Sequence, residues 1–457
     1  MIKRRHFLGT AAVTAATAGL TACGADQGAK AGQSNSVGTA GATQSHLAAN
    51  VKIPEGVEGN IVFSAAEYER RYDGIRKQMQ AQNIDALIVT GTREWHNGDL
   101  GNLQYLGVPI DWDTTYVIVP IDKEPIVLNK IPGFPAFKEL GPGGPPVIPS
   151  KHEGVPVSTV MSMPKEGARF VGDHAPTLVK QIEELGLSSG RIGIVAMRNL
   201  RADVYRTLIE GLPNAAFVDA ERILLRMRYY KSAEEIAFLK RSGYVADMGM
   251  AAAIEASVEG AHDIDIHYAA DIACAKAGGP VGGFQLIGSG QWGGKMSSLL
   301  LSSDGGRTLN KGDMVNPEIG SNYKGYWTQL GVPISLGEPP DAYYEVLELC
   351  DKVYSFIDSE FRPGKTVWAV DDACKEFTKD VSDGAYTTLF GIQAGEHELT
   401  FAHDNYELRP GALAYNQPFF LPLSKPGMPF HVYGDAMVMT EGEPIKLHQT
   451  KMGLVVV

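Results

Sequence analysis

Cysteine is scarce in this chain: Cys23, Cys274, Cys350 and Cys374 are the only four among 457 residues. No two form a Cys-x-x-Cys pair and no cysteine–histidine cluster has zinc-finger spacing, which excludes a structural zinc module. With Cys23 in the leader, three remain in the body, an odd number that implies no disulfide framework; they read as buried structural thiols. Dense basic blocks are missing too. The balance of 41 Lys plus Arg against 53 Asp plus Glu gives a net charge of −12, which leaves no electrostatic footprint for nucleic acid. A polybasic membrane patch is equally absent beyond the first residues, and nothing after the leader reaches the roughly 20 apolar residues of a membrane helix. There is no Gly-x-Ser-x-Gly elbow, since Gly288-Ser289-Gly290 is only half of one. The glycines at 278–279 and 282–283 do not follow a strand with dinucleotide-binding spacing. What is there, 44% hydrophobic and 21% charged residues, is the composition of a globular chain, long enough for two or three domains.

The N-terminus is basic, then apolar and small, ending at Leu20-Thr21-Ala22-Cys23. That is the pattern of a secretory signal. Arg4-Arg5-His6-Phe7-Leu8 resembles the twin-arginine export pattern, and Leu20 to Cys23 resembles a lipobox, in which Cys23 is lipidated. Residues 1–23 are therefore expected to be a signal and lipobox. Residues 24–60, rich in Gly, Ala, Ser, Thr and Gln at their start, are expected to be a flexible tether. The expected location is the cell envelope, with the membrane reached through the lipid alone.

Two regions follow. In the first, expected over residues 61–227, Ser64 and Glu67 form a capping box, and Tyr68, Tyr72, Ile75 and Met79 recur at helical spacing. Strands are expected at 86–89, 115–119, 125–128, 191–195 and 216–219, with helices at 178–185 and 202–210, an α/β pattern. In the second, over residues 228–457, Ser232 and Glu235 form another capping box and open a long helix. Further helices are expected at 263–277, 342–356 and 367–381, and strands at 284–287, 314–315, 333–334, 412–415, 436–439 and 452–457. This is α+β, its sheet assembled from distant segments.

Several of these segments carry a resemblance. Arg228-Tyr-Tyr-Lys-Ser232-Ala-Glu-Glu-Ile236, Leu309-Asn-Lys-Gly-Asp313-Met-Val-Asn-Pro-Glu318-Ile-Gly320, Gly325-Tyr326-Trp327-Thr-Gln329, His397-Glu398, Leu408-Arg-Pro-Gly411 through Gln417-Pro418, and Gly434-Asp435 through Glu441 occur in that order. Together they resemble the pita-bread metallopeptidase superfamily of methionine aminopeptidase, aminopeptidase P, prolidase and creatinase. Asn102-Leu-Gln-Tyr105-Leu-Gly107 resembles the N-terminal domain of creatinase and prolidase. The resemblance implies an α/β creatinase-like N-terminal domain, an α+β pita-bread C-terminal domain and a homodimer.

It also exposes a departure. Active peptidases of the superfamily hold two divalent metals with Asp, Asp, His, Glu and Glu. By resemblance those positions fall here on Glu318, Gln329, Phe390 or Ile392, Gln417 and Gly434, so that one carboxylate of four remains. Carboxylates are what hard or borderline cations exchange water for. The expectation is therefore no metal and no cofactor. In their place, His397, Glu318 and Glu398 are the candidate acid–base residues. Trp292, Lys295, Ser297, Tyr326, Gln329 and Gln417 are the candidate substrate-binding residues, with Trp327 as a further aromatic wall. The implied activity is metal-independent, creatinase-like cleavage of a C–N bond in a small polar substrate. A metal-dependent Xaa-Pro peptidase, a C–S or C–O lyase of the same fold and a non-catalytic binding protein are the alternatives.

Overall fold

Ser64 caps the first helix, its hydroxyl accepting the backbone N–H of Glu67 at 3.2 Å, and α1 (Ala65–Ala81) buries Tyr68, Tyr72, Ile75 and Met79 as their spacing requires. The computed structural model describes residues 47–91, 100–108, 115–130, 158–162, 174–280, 283–291, 298–300, 306–379, 386–392, 405–420 and 431–457, all within one compact unit, Gln44–Val457. Beside α1 lies a six-stranded mixed sheet of β1 (Ala86–Gly91), β2 (Thr115–Pro120), β3 (Ile126–Lys130), β4 (Ser158–Ser162), β5 (Arg191–Val195) and β6 (Ala216–Asp219), in the order β4-β3-β2-β1-β5-β6. Strand alternation sends Leu87, Val89, Val117 and Val119 to one face and Ile88, Tyr116 and Ile118 to the other. The first face packs on α1, on Leu103 and Tyr105 of α2 (Leu100–Tyr105), and later on Ile223 and Leu224. The second packs on α3 (His174–Glu184) and α4 (Ala202–Gly211). Helices on both faces explain why β1 and β2 read as unbroken apolar runs.

α5 (Glu221–Tyr229) leads to α6 (Ala233–Ala256), which opens on the capping box of Ser232 and Glu235, and then α7 (Asp263–Lys276). Helices α6 and α7 cover a second sheet of β7 (Phe284–Gln291), β8 (Ser298–Leu300), β9 (Asp313–Tyr323), β10 (Tyr326–Gly331), β11 (Ile334–Ser335) and the terminal β17 (Val455–Val456). α8 (Asp341–Glu360) and α9 (Val367–Lys379) cover a third, made of β12 (Tyr386–Ile392), β13 (Leu413–Phe420), β14 (His431–Val432), β15 (Asp435–Val438) and β16 (Ile445–Lys446). The two sheets meet where Gly331 and Gly434 exchange backbone hydrogen bonds of 2.9 and 3.1 Å. The free cysteines Cys274, Cys350 and Cys374 are all buried, as expected, and burial pushes the Cys274 thiol up to about 12. Cys23 lies outside the described residues.

One expectation needs correction. Leu47 to Asn60, assigned to the tether, are strapped to the C-terminal half of the chain. The Leu47 amide donates to Glu255 at 2.8 Å, Lys52 exchanges two backbone bonds with the Gln449 side chain, and Lys324 Nζ donates to Asn60 Oδ1 and the Ile61 carbonyl at 2.6 Å. Val57 is buried, and Phe63 stacks on Phe238 with centroids 4.0 Å apart. Composition misses this because backbone amides, carbonyls and distant side chains do most of the holding.

A buried polar latch ties α1 and α2 to the second sheet. Arg71, fully buried, donates to Glu67 at 2.8 Å, to the Tyr105 carbonyl at 2.9 Å and to the Tyr326 hydroxyl at 3.0 Å; Tyr326 in turn donates to Glu235 at 2.9 Å. Arg228, also buried, donates to Asn102 of α2 at 2.7 Å. Each buried charge here has partners, without which burying it would be very costly.

Candidate functional site

Strands β9 and β10 pair antiparallel with Glu318 opposite Gly331 and Gln329 opposite Gly320. Glu318 and Gln329 are therefore diagonal neighbours on one face of the pleat, within reach of each other. Gln329 Nε2 donates to Glu318 Oε1 at 2.9 Å. Ile319, one residue on, points the other way into the core under α6 and α7, so Glu318 looks away from those helices. Phe284 stands opposite Gly320 on the other side of β9. A Cβ at Gly320 would lie 2.6 Å from Trp327 Cζ2 and 2.9 Å from Phe284 Cδ1, so this glycine is what lets the two rings close in beside the Glu318–Gln329 pair.

Glu318 is 3% exposed, and burial pushes its carboxyl up to about 7. Among the described residues no charged group contributes to that shift, whose cause is loss of water. The site thus holds a carboxyl, an amide, aromatic walls and, at the sheet junction, the facing glycines Gly331 and Gly434, whose backbones carry no side chain into the space next to Glu318. The neighbouring carboxylate turns elsewhere: Asp435 accepts the Tyr354 hydroxyl at 2.7 Å and lies 3.5 Å from Lys446 Nζ, and burial raises its pKa.

The expected site residues are only partly brought together. Glu318 and Gln329 meet, and Trp327 joins them. Gln417 is placed by its backbone, opposite Leu389 of β12 and one residue beyond the Asn416–Asp435 pair, which sets it beside Gly434. Tyr326 does not join: it projects from the opposite face of β10 into the latch with Arg71 and Glu235, because strand neighbours alternate. Its role is therefore a structural one, in place of the substrate contact expected from the sequence. His397, Glu398, Trp292, Lys295 and Ser297 lie outside the described residues. Phe390 and Ile392 are located only as members of β12.

One residue the sequence reading did not raise is His448. Its side chain is buried against α6, with Nδ1 3.8 Å from Asp247 Oδ1, and burial pushes its pKa down to about 4. Asp247 accepts the Gln449 and Thr450 amides and the Thr450 hydroxyl, yet burial still lifts it to about 6. His448 belongs to no motif, and only the fold brings it behind β10. Among the described residues, no group of three or more His, Cys, Asp or Glu side chains is arranged to hold a metal ion.

Residues 237–441 match the model of metallopeptidase family M24. An uncharacterized hydrolase/peptidase of Sinorhizobium fredii is 25% identical over 374 residues, 77% of this chain and 88% of that one. A creatinase from a Bacillus species is also 25% identical, over 283 residues, covering 57% of this chain and 67% of the relative. Among solved structures, the Xaa-Pro dipeptidase from Bacillus anthracis superposes with a TM-score of 0.66 at 18% identity, over 85% of this chain and 100% of that one. The fold is thus an α/β N-terminal domain followed by a pita-bread C-terminal domain, as expected.

Proposed function

We propose that this chain is a metal-independent hydrolase that cleaves a C–N bond of a small polar organic substrate, with Glu318 as an acid–base carboxyl and His397 as its partner. The relatives that match are hydrolases and peptidases, which supports the reaction class. The observation that carries the finer reading is the hydrogen bond from Gln329 Nε2 to Glu318 Oε1. By resemblance these two side chains occupy the first two metal-ligand positions, so that a neutral amide, in contact with the one remaining carboxyl, stands where a second carboxylate would be needed. A pair of divalent ions needs anionic oxygens there, and the amide supplies no charge. Gly434, at a third ligand position, has no side chain. The donor set does not fit a pair of divalent ions.

What these residues offer instead is proton transfer. A buried carboxyl at about 7 gives and takes a proton near neutrality, the range in which general acid–base catalysis is most effective. Trp327 and Phe284 shield it from water, and Gln329 fixes its orientation. Without a metal to activate water, a substrate with a readily protonated nitrogen is favoured over a Xaa-Pro peptide bond. The test is turnover by folded Glu318→Gln and His397→Ala variants, screened on small guanidino and N-substituted amino acid substrates beside Xaa-Pro dipeptides. Losses on the order of 100- to 10,000-fold are expected on the first group. Wild-type rates in both variants would refute the assignment. We also propose that the body is held at the envelope by a lipid on Cys23; Cys23→Ala protein should leave the membrane fraction still folded, and its retention there would count against the lipid.

A further inference from the structure

A second cleft, of about 490 Å³, opens between α1, α5 and the segment around Tyr406, and it shares no residue with the Glu318 shell. Helix α5 builds its wall. Ile223 and Leu224 turn into the core, while Arg222 and Arg226, one turn apart, and then Tyr229 and Tyr230 follow along the cleft side. Tyr229 is 3% exposed and packs as the cleft floor under Tyr406, with ring centroids 3.8 Å apart and planes tilted by 40°, which leaves Tyr230 and Tyr406 as the half-buried aromatic lining. Gln78 of α1 closes the other side.

The charge of this lining runs against the rest of the chain. Acidic residues outnumber basic ones by 53 to 41 overall, yet among the described residues no Asp or Glu lines the cleft. A solvated helix face ordinarily mixes signs, and two arginines four apart repel each other slightly. Both are exposed, and Arg226 makes no ion pair among the described residues. Guanidinium forks match oxyanions in planar, two-point contacts, and tyrosine faces accept a flat ring. The volume is in the range of small-molecule sites, roughly 300–1,000 Å³.

We propose that this cleft binds a small aromatic anion, a ligand with one flat ring and an oxyanion group, the anion on Arg222 and Arg226 and the ring against Tyr230 and Tyr406, the half-buried tyrosines of the lining. The test uses the full chain and three probes, phenyl phosphate, inorganic phosphate and phenol, titrated by calorimetry at low salt. Saturable binding is expected for phenyl phosphate, with phosphate and phenol each weaker by at least about tenfold. Arg226→Ala and the Arg222→Ala/Arg226→Ala pair should each weaken phenyl phosphate by at least about tenfold, and Arg226→Lys by less. Tyr406→Leu should bring phenyl phosphate down to the level of phosphate. Should that variant fail to fold, the variants of the exposed arginines, expected to keep the wild-type circular dichroism, decide the matter. No saturable binding by the wild type, unchanged affinity in the double variant, or equal binding of phosphate and phenyl phosphate overturns the assignment.

Discussion

Replacing Glu318 by Gln keeps the shape of the side chain and an oxygen to accept the Gln329 amide, but removes the proton equilibrium. In the folded chain this carboxyl is raised from 4.5 to about 7 by burial. Below 4.5 it is protonated in both folded and unfolded chains, and its ionisation costs nothing. Between 4.5 and about 7 the unfolded chain has released the proton and the folded chain still holds it, so stability falls as pH rises. Each pH unit in that window is worth about 1.4 kcal/mol. The window therefore amounts to about 3 kcal/mol, lost progressively and then constant above pH 7. The variant carries none of this. Urea unfolding of both proteins from about pH 4 to about pH 8.5, followed by far-ultraviolet circular dichroism, should show Glu318→Gln gaining on the wild type by about 3 kcal/mol in total. Taking the difference cancels Asp247, which loses stability in the same direction up to about 6, and His448, which gains it as pH rises from about 4. A difference that does not change with pH would refute the account of Glu318 as a carboxyl stripped of water and of cations.

Other perturbations have equally definite outcomes. Gly320→Ala drives a methyl into Trp327 and Phe284; overpacking of this kind should cost about 1–3 kcal/mol in urea unfolding, and an unchanged midpoint would place the rings elsewhere. Tyr326→Phe removes the hydroxyl shared by Arg71 and Glu235 and should cost about 1–3 kcal/mol, since two buried charged groups each lose a partner. Chains starting at Leu47 should melt like the full chain, whereas those starting at Ser64 should melt lower because the strap bonds to Glu255, Gln449 and Lys324 are gone. Equal melting of the two would show the strap to be passive.

Much of the fold could be read from local signals. The capping box of Ser232 and Glu235, the apolar strands of the first sheet and the two-region architecture are short-range features, fixed by side-chain period and helix-cap chemistry; of the box expected at Ser64 only the serine half forms, because Glu67 turns to Arg70 and Arg71 and the Ser64 amide donates to Glu234. The strap at Leu47 to Phe63 could not, because its partners Glu255, Lys324 and Gln449 are hundreds of residues away and no periodicity marks them. Strand β9 runs over eleven residues where apolar content suggests two, since Asn316, Glu318, Ser321 and Asn322 are polar yet buried. The site was half legible for a related reason. Motif order brings Glu318 and Gln329 together, but alternation along β10 decides that Trp327 faces them while Tyr326 turns away into the latch. His448 carries no signal at all until the C-terminal segment is folded against α6.

In the proposed function, the buried Glu318 carboxyl and the Gln329 amide take over where relatives in the resemblance hold metal. The most direct measurement is the metal content of the purified full chain after incubation with manganese, cobalt and zinc and extensive dialysis, with turnover compared before and after chelation. The account predicts substoichiometric metal and rates that the chelator leaves unchanged. A divalent ion retained at stoichiometric level, with activity lost on chelation and restored by the ion, would contradict it.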